Sequence, residues 1–536
     1  MQTDAASRLA AVTMVGLPHE GLTPAFRKTF AARPFAGVLL FRRHFGTLGR
    51  LVALVEELRA LAAPRTILVA MDEEGGFVSQ LAPELPVPPA ARVLGRGASE
   101  TEIERIGAAV GGWLSAAGVD VDFAPVLDVD AESRNPVIGP RSFGRDPADV
   151  ARLGAAMLRG LREGGVLACT KHFPGHGSTV TDSHLALPEC GDDRATIGAR
   201  DLVPFRETHA LSPLVMTAHV RYPALDPQWP ATLSPAIVRG LLRETLGMRG
   251  VVVTDAMEMA GVAGAAPGGE GPLRALAAGC DLLLFGAWTA GTEATLDEAA
   301  RTWTTQGEDA LPLARWEAAR GAIEALYSAA LGAERSDRGA SASGAARASY
   351  RTLFDPGNIA ALVPPGWDAM LDAICRRALS WIGPPAAVAL DRLEVLEPSW
   401  SGGPSIAELL VEHGVPARAR AFAAAAAGAA PGHTADVADD FAALRRLATG
   451  ATGAGATDAP DPLLVALPRR TPLSPADEHE LRALCIARPT VLVALEQDAF
   501  LTDFPEAAGR LSACDATPAM RRAVAAEIAG AMSRVS

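Results

Sequence analysis

Eight short apolar or β-branched runs punctuate the first 330 or so residues, and longer amphipathic stretches separate them. They are AAVTMVG (10–16), AGVLLF (36–41), TILVAMD (66–72), VDFAPVLD (121–128), VLACTKHF (166–173), PLVMTAHV (213–220), GVVVTDAM (250–257) and CDLLLFGA (280–287). Continuous apolar runs of this length suit strands buried on both faces, and the intervening patterns suit crossover helices. GRLVALVEELRALAA, ADVARLGAAMLRGLREGG and SPAIVRGLLRETLG are such patterns, the last opening on Ser234 as N-cap and Pro235 as first helical residue. Eight strand-helix units predict an α/β fold with an N-terminal (β/α)8 TIM-type barrel. A doubly wound open sheet is the alternative, since it also gathers ligands at strand C-termini.

The chain has 536 residues, more than one core usually supports, so a second unit is expected. GAERSDRGASASGAARAS, poor in bulky apolar residues, reads as a linker. The expected division is a catalytic barrel over 1–331, a linker over 332–370 and a smaller α/β sandwich-like domain over 371–536. In the last part PAAVALDRLEVL, PLLVALPRR and PTVLVALEQD predict strands, and DEHELRALCIA and MRRAVAAEIAGAM predict helices. AFAAAAAGAAPG and TGATGAGATDA are low-complexity tracts, read as a surface helix extension and a loop.

A net charge of −13 opposes phosphate backbones and anionic membranes, so neither nucleic acid nor a membrane is an expected partner. The six cysteines show no CxxC spacing and read as reduced thiols. No basic n-region opens the chain and no apolar run reaches bilayer length, which together read as a cytoplasmic protein. The oligomeric state is not set by any of these features.

Polar residues fall at the C-terminal ends of five runs: Asp72, Asp128, Lys171 with His172, His219 and Asp255. Barrel enzymes place their chemistry there. Taken singly, each is as readily a plain loop residue. The densest segment is KHFPGHGSTVTDSH (171–184), with three histidines, a lysine and an aspartate. A metal reading through His172, His176 and His184 lacks the usual short helical spacing, so no metal and no cofactor is expected. Asp182 and His184 can form a pair in which the carboxylate fixes the imidazole tautomer, although an Asx turn is the structural alternative. Asp255 can attack an electrophilic carbon, Asp72 beside Gly75 and Gly76 can accept from hydroxyls, and Arg141 can donate to ligand oxygens or form a surface ion pair.

Together KHFPGHG with DSH, DxEGGxV at Asp72, GPRSFG at Arg141, MTAHVRYP around His219 and TDAMEM at Asp255 resemble family-three glycoside hydrolases, in the β-N-acetylglucosaminidase (β-N-acetylhexosaminidase) branch that includes peptidoglycan-recycling enzymes. The resemblance covers residues 10–330. It implies a carbohydrate substrate and retaining, exo-acting hydrolysis of terminal β-linked N-acetylglucosamine. Asp255 would be the nucleophile, His184 with Asp182 the acid/base, and Asp72, Gln80, Arg141, Lys171 and His172 the sugar ligands. Gln80 stands where that family usually has an arginine and brings no charge. A phosphorylase on the same scaffold, a β-glucosidase and a non-catalytic sugar-binding protein are the competing readings.

Overall fold

The computed structural model describes residues 4–183, 185–331, 354, 358–382, 393–397, 404–413, 415, 417–421, 462–467, 475–495 and 499–533. Eight parallel strands close into a barrel in chain order: β1 (Thr13–Gly16), β2 (Gly37–Leu39), β3 (Leu68–Met71), β4 (Val121–Asp122), β5 (Leu167–Phe173), β6 (Leu214–Thr217), β7 (Val251–Ala256) and β8 (Leu282–Phe285). All eight predicted runs contribute a strand, and β8 pairs back onto β1 through Thr13 and Leu283. The closed ring rules out the doubly wound sheet.

The β4 strand is shorter than the run that predicts it. Pro125 supplies no N–H to a ladder, so the regular strand ends early and Asp128 stands on the loop beyond it. Backbone bonds still tie that segment to β5: the Cys169 N–H donates to the Ala124 carbonyl, the Lys171 N–H to that of Pro125 and the Leu127 N–H to that of Lys171.

Local signals set the helices. Ser99 and Glu102 form a reciprocal capping box at the start of Glu100–Ala116, and Asp146 caps Pro147–Glu163 with Pro147 in the first turn. These two helices approach closely because Gly107 and Gly111 face Gly160 and Gly164, where an added Cβ would meet backbone at 3.0 Å or less. Ser234 Oγ accepts the Ile237 N–H at 3.1 Å, which starts the helix Ala236–Thr245.

Beyond the barrel, the described residues form a six-stranded sheet made of Ser380–Trp381, Leu393–Glu397, Ala417–Ala421, Leu463–Leu467, Thr490–Ala494 and Gly509–Ser512. All its pairs are parallel except that of Ser380–Trp381, which is antiparallel at one edge. Side chains alternate between its faces: Leu464, Ala466 and Val493 join the large core shared with the barrel, whereas Leu463, Val465 and Leu492 pack on Leu481 and Leu484. The second α/β unit is therefore layered on both faces. Three of its strands were not expected. Two are short, and Ala417–Ala421 alternates Ala with Arg, a composition of low strand propensity. The tract TGATGAGATDA, and AFAAAAAGAAPG after Ala421, lie outside the described residues. Among the described residues no helix is long and apolar enough to cross a membrane.

Candidate active site

Two loops and one strand end at the C-terminal mouth of the barrel converge on one charged network. Lys171, in β5, is buried, and its Nζ lies 2.7 Å from Asp72 Oδ1 and 2.6 Å from Glu74 Oε1. Arg141 grips the same Glu74 from the other side through Nε and Nη2, both at 2.8 Å, and its Nη1 donates to the Val137 carbonyl at 3.1 Å. This is a bidentate, charge-assisted pair with a lysine added. Arg141 is thus not a surface ion pair; it is built into the site.

The electrostatics follow from that geometry. Burial opposes the charge on Glu74, but Arg141 and Lys171 outweigh it and hold the carboxyl well below the ordinary range. Burial likewise opposes the charge on Lys171 and Arg141, and their acidic partners raise both above their usual values. Glu74, Lys171 and Arg141 therefore stay ionised near neutrality.

Beside this network Asp128 accepts from three donors. His172 Nδ1 lies 2.6 Å from Oδ2, while the backbone N–H groups of His172 and His176 reach Oδ1 at 3.3 and 2.6 Å. Burial works to raise Asp128, but His172 and His176 keep it below its ordinary value. Such a carboxylate orients its imidazole, leaving Nε2 as the outward-facing ring nitrogen. The Lys171–His172 and Phe173–Pro174 peptide bonds are both cis.

His176 has a different job. Its Nε2 meets Ser183 Oγ at 3.1 Å, its Nδ1 meets Thr179 Oγ1 at 2.9 Å, and burial lowers it to about 4, so it stays neutral within the loop. Asn135 Nδ2 donates to the carbonyls of His176 and Thr179, and the Tyr222 hydroxyl donates to that of Gly175. The loop is fastened from two neighbouring strand exits.

Asp255 lies in β7, partly exposed at the mouth, and accepts the Ala256 N–H at 2.8 Å. His219 steadies this strand end, with Nε2 donating to the Ala256 carbonyl at 3.0 Å and Nδ1 beside Thr232 Oγ1 at 2.8 Å. The segment that carries Asp182 reaches over β7: the Gly261 N–H donates to the Ser183 carbonyl at 3.2 Å, and the Asp182 carbonyl accepts from Leu185 and Ala186. Asp182 is therefore brought to the rim that holds Asp255. His184 lies outside the described residues.

Gln80 stands behind this surface. It is buried, its Oε1 accepts the Arg42 N–H at 2.8 Å, and its Nε2 donates to the Asp72 carbonyl at 3.2 Å. Both ends of its amide are used on backbone, so its geometry braces Asp72.

One participant, and the partner of a second, were missed from sequence. Glu74 is the hub of the network, and its position inside DxEGG was the available signal; Asp128 was seen at a strand end without a partner. A third, Glu258, brings another carboxylate to the rim, where its Oε1 accepts the Ala287 N–H at 3.1 Å. Among the described residues no cluster of three or more His, Cys, Asp or Glu could hold a metal ion.

Residues 10–303 match the family model described as the glycosyl hydrolase family 3 N-terminal domain. A protein named β-hexosaminidase from Chromobacterium violaceum is 43% identical over 280 residues, spanning 51% of this chain and 77% of its own length. One of the same name from Idiomarina loihiensis is 38% identical over 53% of this chain and 86% of its own. The solved structure of a family 3 β-N-acetylglucosaminidase from Paenibacillus sp. str. FPU-7 aligns over 98% of this chain and 96% of that one, with 26% identity and a TM-score of 0.83. With a matched barrel, a polar network at its C-terminal mouth and relatives of this kind, the chain belongs to glycosyl hydrolase family 3 and is a glycoside hydrolase.

Proposed function

We propose that the chain is a retaining exo-β-N-acetylglucosaminidase, with Asp255 as nucleophile and His184, paired to Asp182, as acid/base. The observation that carries this reading is the placement of Asp255 and the Asp72–Glu74–Lys171–Arg141 network on one barrel mouth, in a chain whose curated relatives are named β-hexosaminidases.

Hydrogen-bond capacity supports a sugar in that mouth. Lys171 uses two donors on Asp72 and Glu74 and keeps one; Arg141 uses three of its five N–H groups in the contacts described. With a side chain 21% exposed against 6% for Glu74 and 2% for Lys171, Asp72 is the most open acid of the network and suits a pair of sugar hydroxyls. A ring held this way turns its anomeric carbon toward Asp255.

In the first step the Asp255 carboxylate attacks C1 as His184 gives its proton to the leaving oxygen. In the second, His184 takes a proton from water, which displaces Asp255 from C1 with overall retention. A histidine replaces the usual second carboxylic acid. Its ordinary pKa near neutrality fits both halves of the cycle. Fragments of peptidoglycan are the natural substrates we propose, a reading that rests on the resemblance of the loop motifs.

The test is turnover of nitrophenyl β-N-acetylglucosaminide and nitrophenyl β-glucoside by wild type and Asp255→Ala, with and without added phosphate, following the product by NMR. The reading expects preference for the N-acetylated substrate, the β-anomer of free N-acetylglucosamine as first product, and loss of turnover in Asp255→Ala. A first product that is the α-anomer, or a sugar 1-phosphate, would sink it.

A further inference from the structure

We propose that the second α/β unit is a positioning element for the sugar grip, and that it acts through the short helix Ala91–Gly97. The proposal rests on the reading of Glu74 and Arg141 as part of the substrate-holding network.

The helix is held by the second unit at both ends. At its start the Ala90 N–H lies near enough to the buried carboxylate of Asp515 to work against the rise that burial gives it. Near its end, Arg96 Nη1 donates to Ser512 Oγ at 2.7 Å. At its end Gly97 abuts the helix Trp367–Ala378 so closely that a Cβ would lie 2.2 Å from the Ile374 carbonyl. Arg377 Nε donates to the Gly97 carbonyl at 2.6 Å. Just before the helix, Trp367 Nε1 donates to the Pro86 carbonyl at 2.6 Å.

The other side of the same segment touches both loops that grip the network. Gly75 and Gly76 follow Glu74 directly and adopt φ of 83° and 57°, a left-handed path that glycine takes without strain. The Gly76 N–H donates to the Pro88 carbonyl at 2.8 Å, and a Cβ on Gly76 would fall 2.8 Å from Ala90 Cβ. Glu74 is thereby registered against residues 88–90. Arg92 reaches the other loop: it pairs with Asp130 at 2.6 Å and donates to the carbonyls of Gly139 and Ser142, which flank Arg141. Gly95 lies against the Phe143 carbonyl with no room for a side chain.

Glu74 and Arg141 must meet in bidentate geometry, where displacements of about 1 Å are costly. Both approach that geometry through contacts to residues 88–92, at the start of one seven-residue helix, and the second unit sets where the helix sits. Asp515, Trp367 and Arg96 are positioning residues in this account.

The experiment uses the full chain with Asp515→Ala, Trp367→Phe and the conservative Asp515→Asn, whose amide oxygen can still accept the Ala90 N–H. At a temperature well below unfolding, Asp515→Ala and Trp367→Phe should raise KM for nitrophenyl β-N-acetylglucosaminide about tenfold, with kcat within about threefold. Amide exchange should quicken over residues 73–81 and 137–143, and Asp515→Asn should restore both readouts. A lowered Tm with unchanged KM and unchanged exchange in those segments would overturn the proposal. If the wild type does not hydrolyse that substrate, the functional reading fails, while the exchange arm still decides this one.

Discussion

Glu74 and Arg141 meet in a two-point ion pair at 2.8 Å and 2.8 Å, and Lys171 joins the same carboxylate at 2.6 Å. One acid therefore compensates two buried bases. Replacing it by glutamine keeps the shape and removes the charge. Glu74→Gln should lower stability by about 3 kcal/mol, the scale for breaking a buried pair from one side. Urea unfolding checks the figure; a variant within about 0.5 kcal/mol of wild type would show that Asp72 alone compensates Lys171 and Arg141.

Glu73 offers a prediction of opposite sign. Its carboxyl is pushed up to about 7 by burial, with Glu74 adding to the rise, although Ser79, Gln80 and Leu81 donate to Oε2. Among the described residues its Oε1 has no hydrogen-bond partner, nor has Asp122 Oδ2, and both residues line a cavity of about 20 Å3 that Arg141 also borders. Between 4.5 and 7 the folded chain keeps a proton that the unfolded chain has released, so Glu73 makes stability fall as pH rises through that window. Glu73→Gln removes this loss and offers an NH2 group to Asp122. Thermal unfolding should show the variant more stable than wild type at pH 8 and the gap narrowing at pH 5; equal midpoints at both pH values would contradict the assignment.

Gly177 sets the path of the loop that carries Asp182. A Cβ there would lie 1.8 Å from the Val129 carbonyl, which is backbone and cannot rotate away. Gly177→Ala should displace the segment from His176 to Ser183 and cut kcat/KM by about a hundredfold. Steady-state kinetics and a crystal structure of the variant test this together, and wild-type kinetics would show that the loop tolerates the shift.

His219 touches the carbonyl of the residue next to the proposed nucleophile. His219→Phe keeps a ring but loses the Nε2 donor. The expected result is a fall of about tenfold in kcat with KM nearly unchanged, because the strand end aims Asp255 without contacting the bound ring. A change confined to KM would place His219 in sugar binding instead.

Much of this molecule was legible in its residues. Eight apolar runs at strand length, each followed by an amphipathic stretch, determine a barrel almost unaided, because the spacing of buried positions is a local property. The same holds for Asp72, Lys171 and Asp255, whose places at or just past strand ends put them at the mouth once the barrel closes. The strands Ser380–Trp381, Ala417–Ala421 and Gly509–Ser512 were hidden, since short or alanine-rich segments gain their partners only after the sheet assembles.

Partnerships were decided by tertiary structure alone. The residue types in KHFPGHGSTVTDSH announce chemistry, yet nothing in their order separates His172, held by Asp128, from His176, spent on Ser183 and Thr179. Glu74 and Lys171 lie 97 positions apart in sequence, and Glu74 and Arg141 lie 67 apart. Electrostatic coupling depends on separation and burial in space, which is why sequence determined the inventory of charged groups while the closed barrel decided which carboxylate compensates which base.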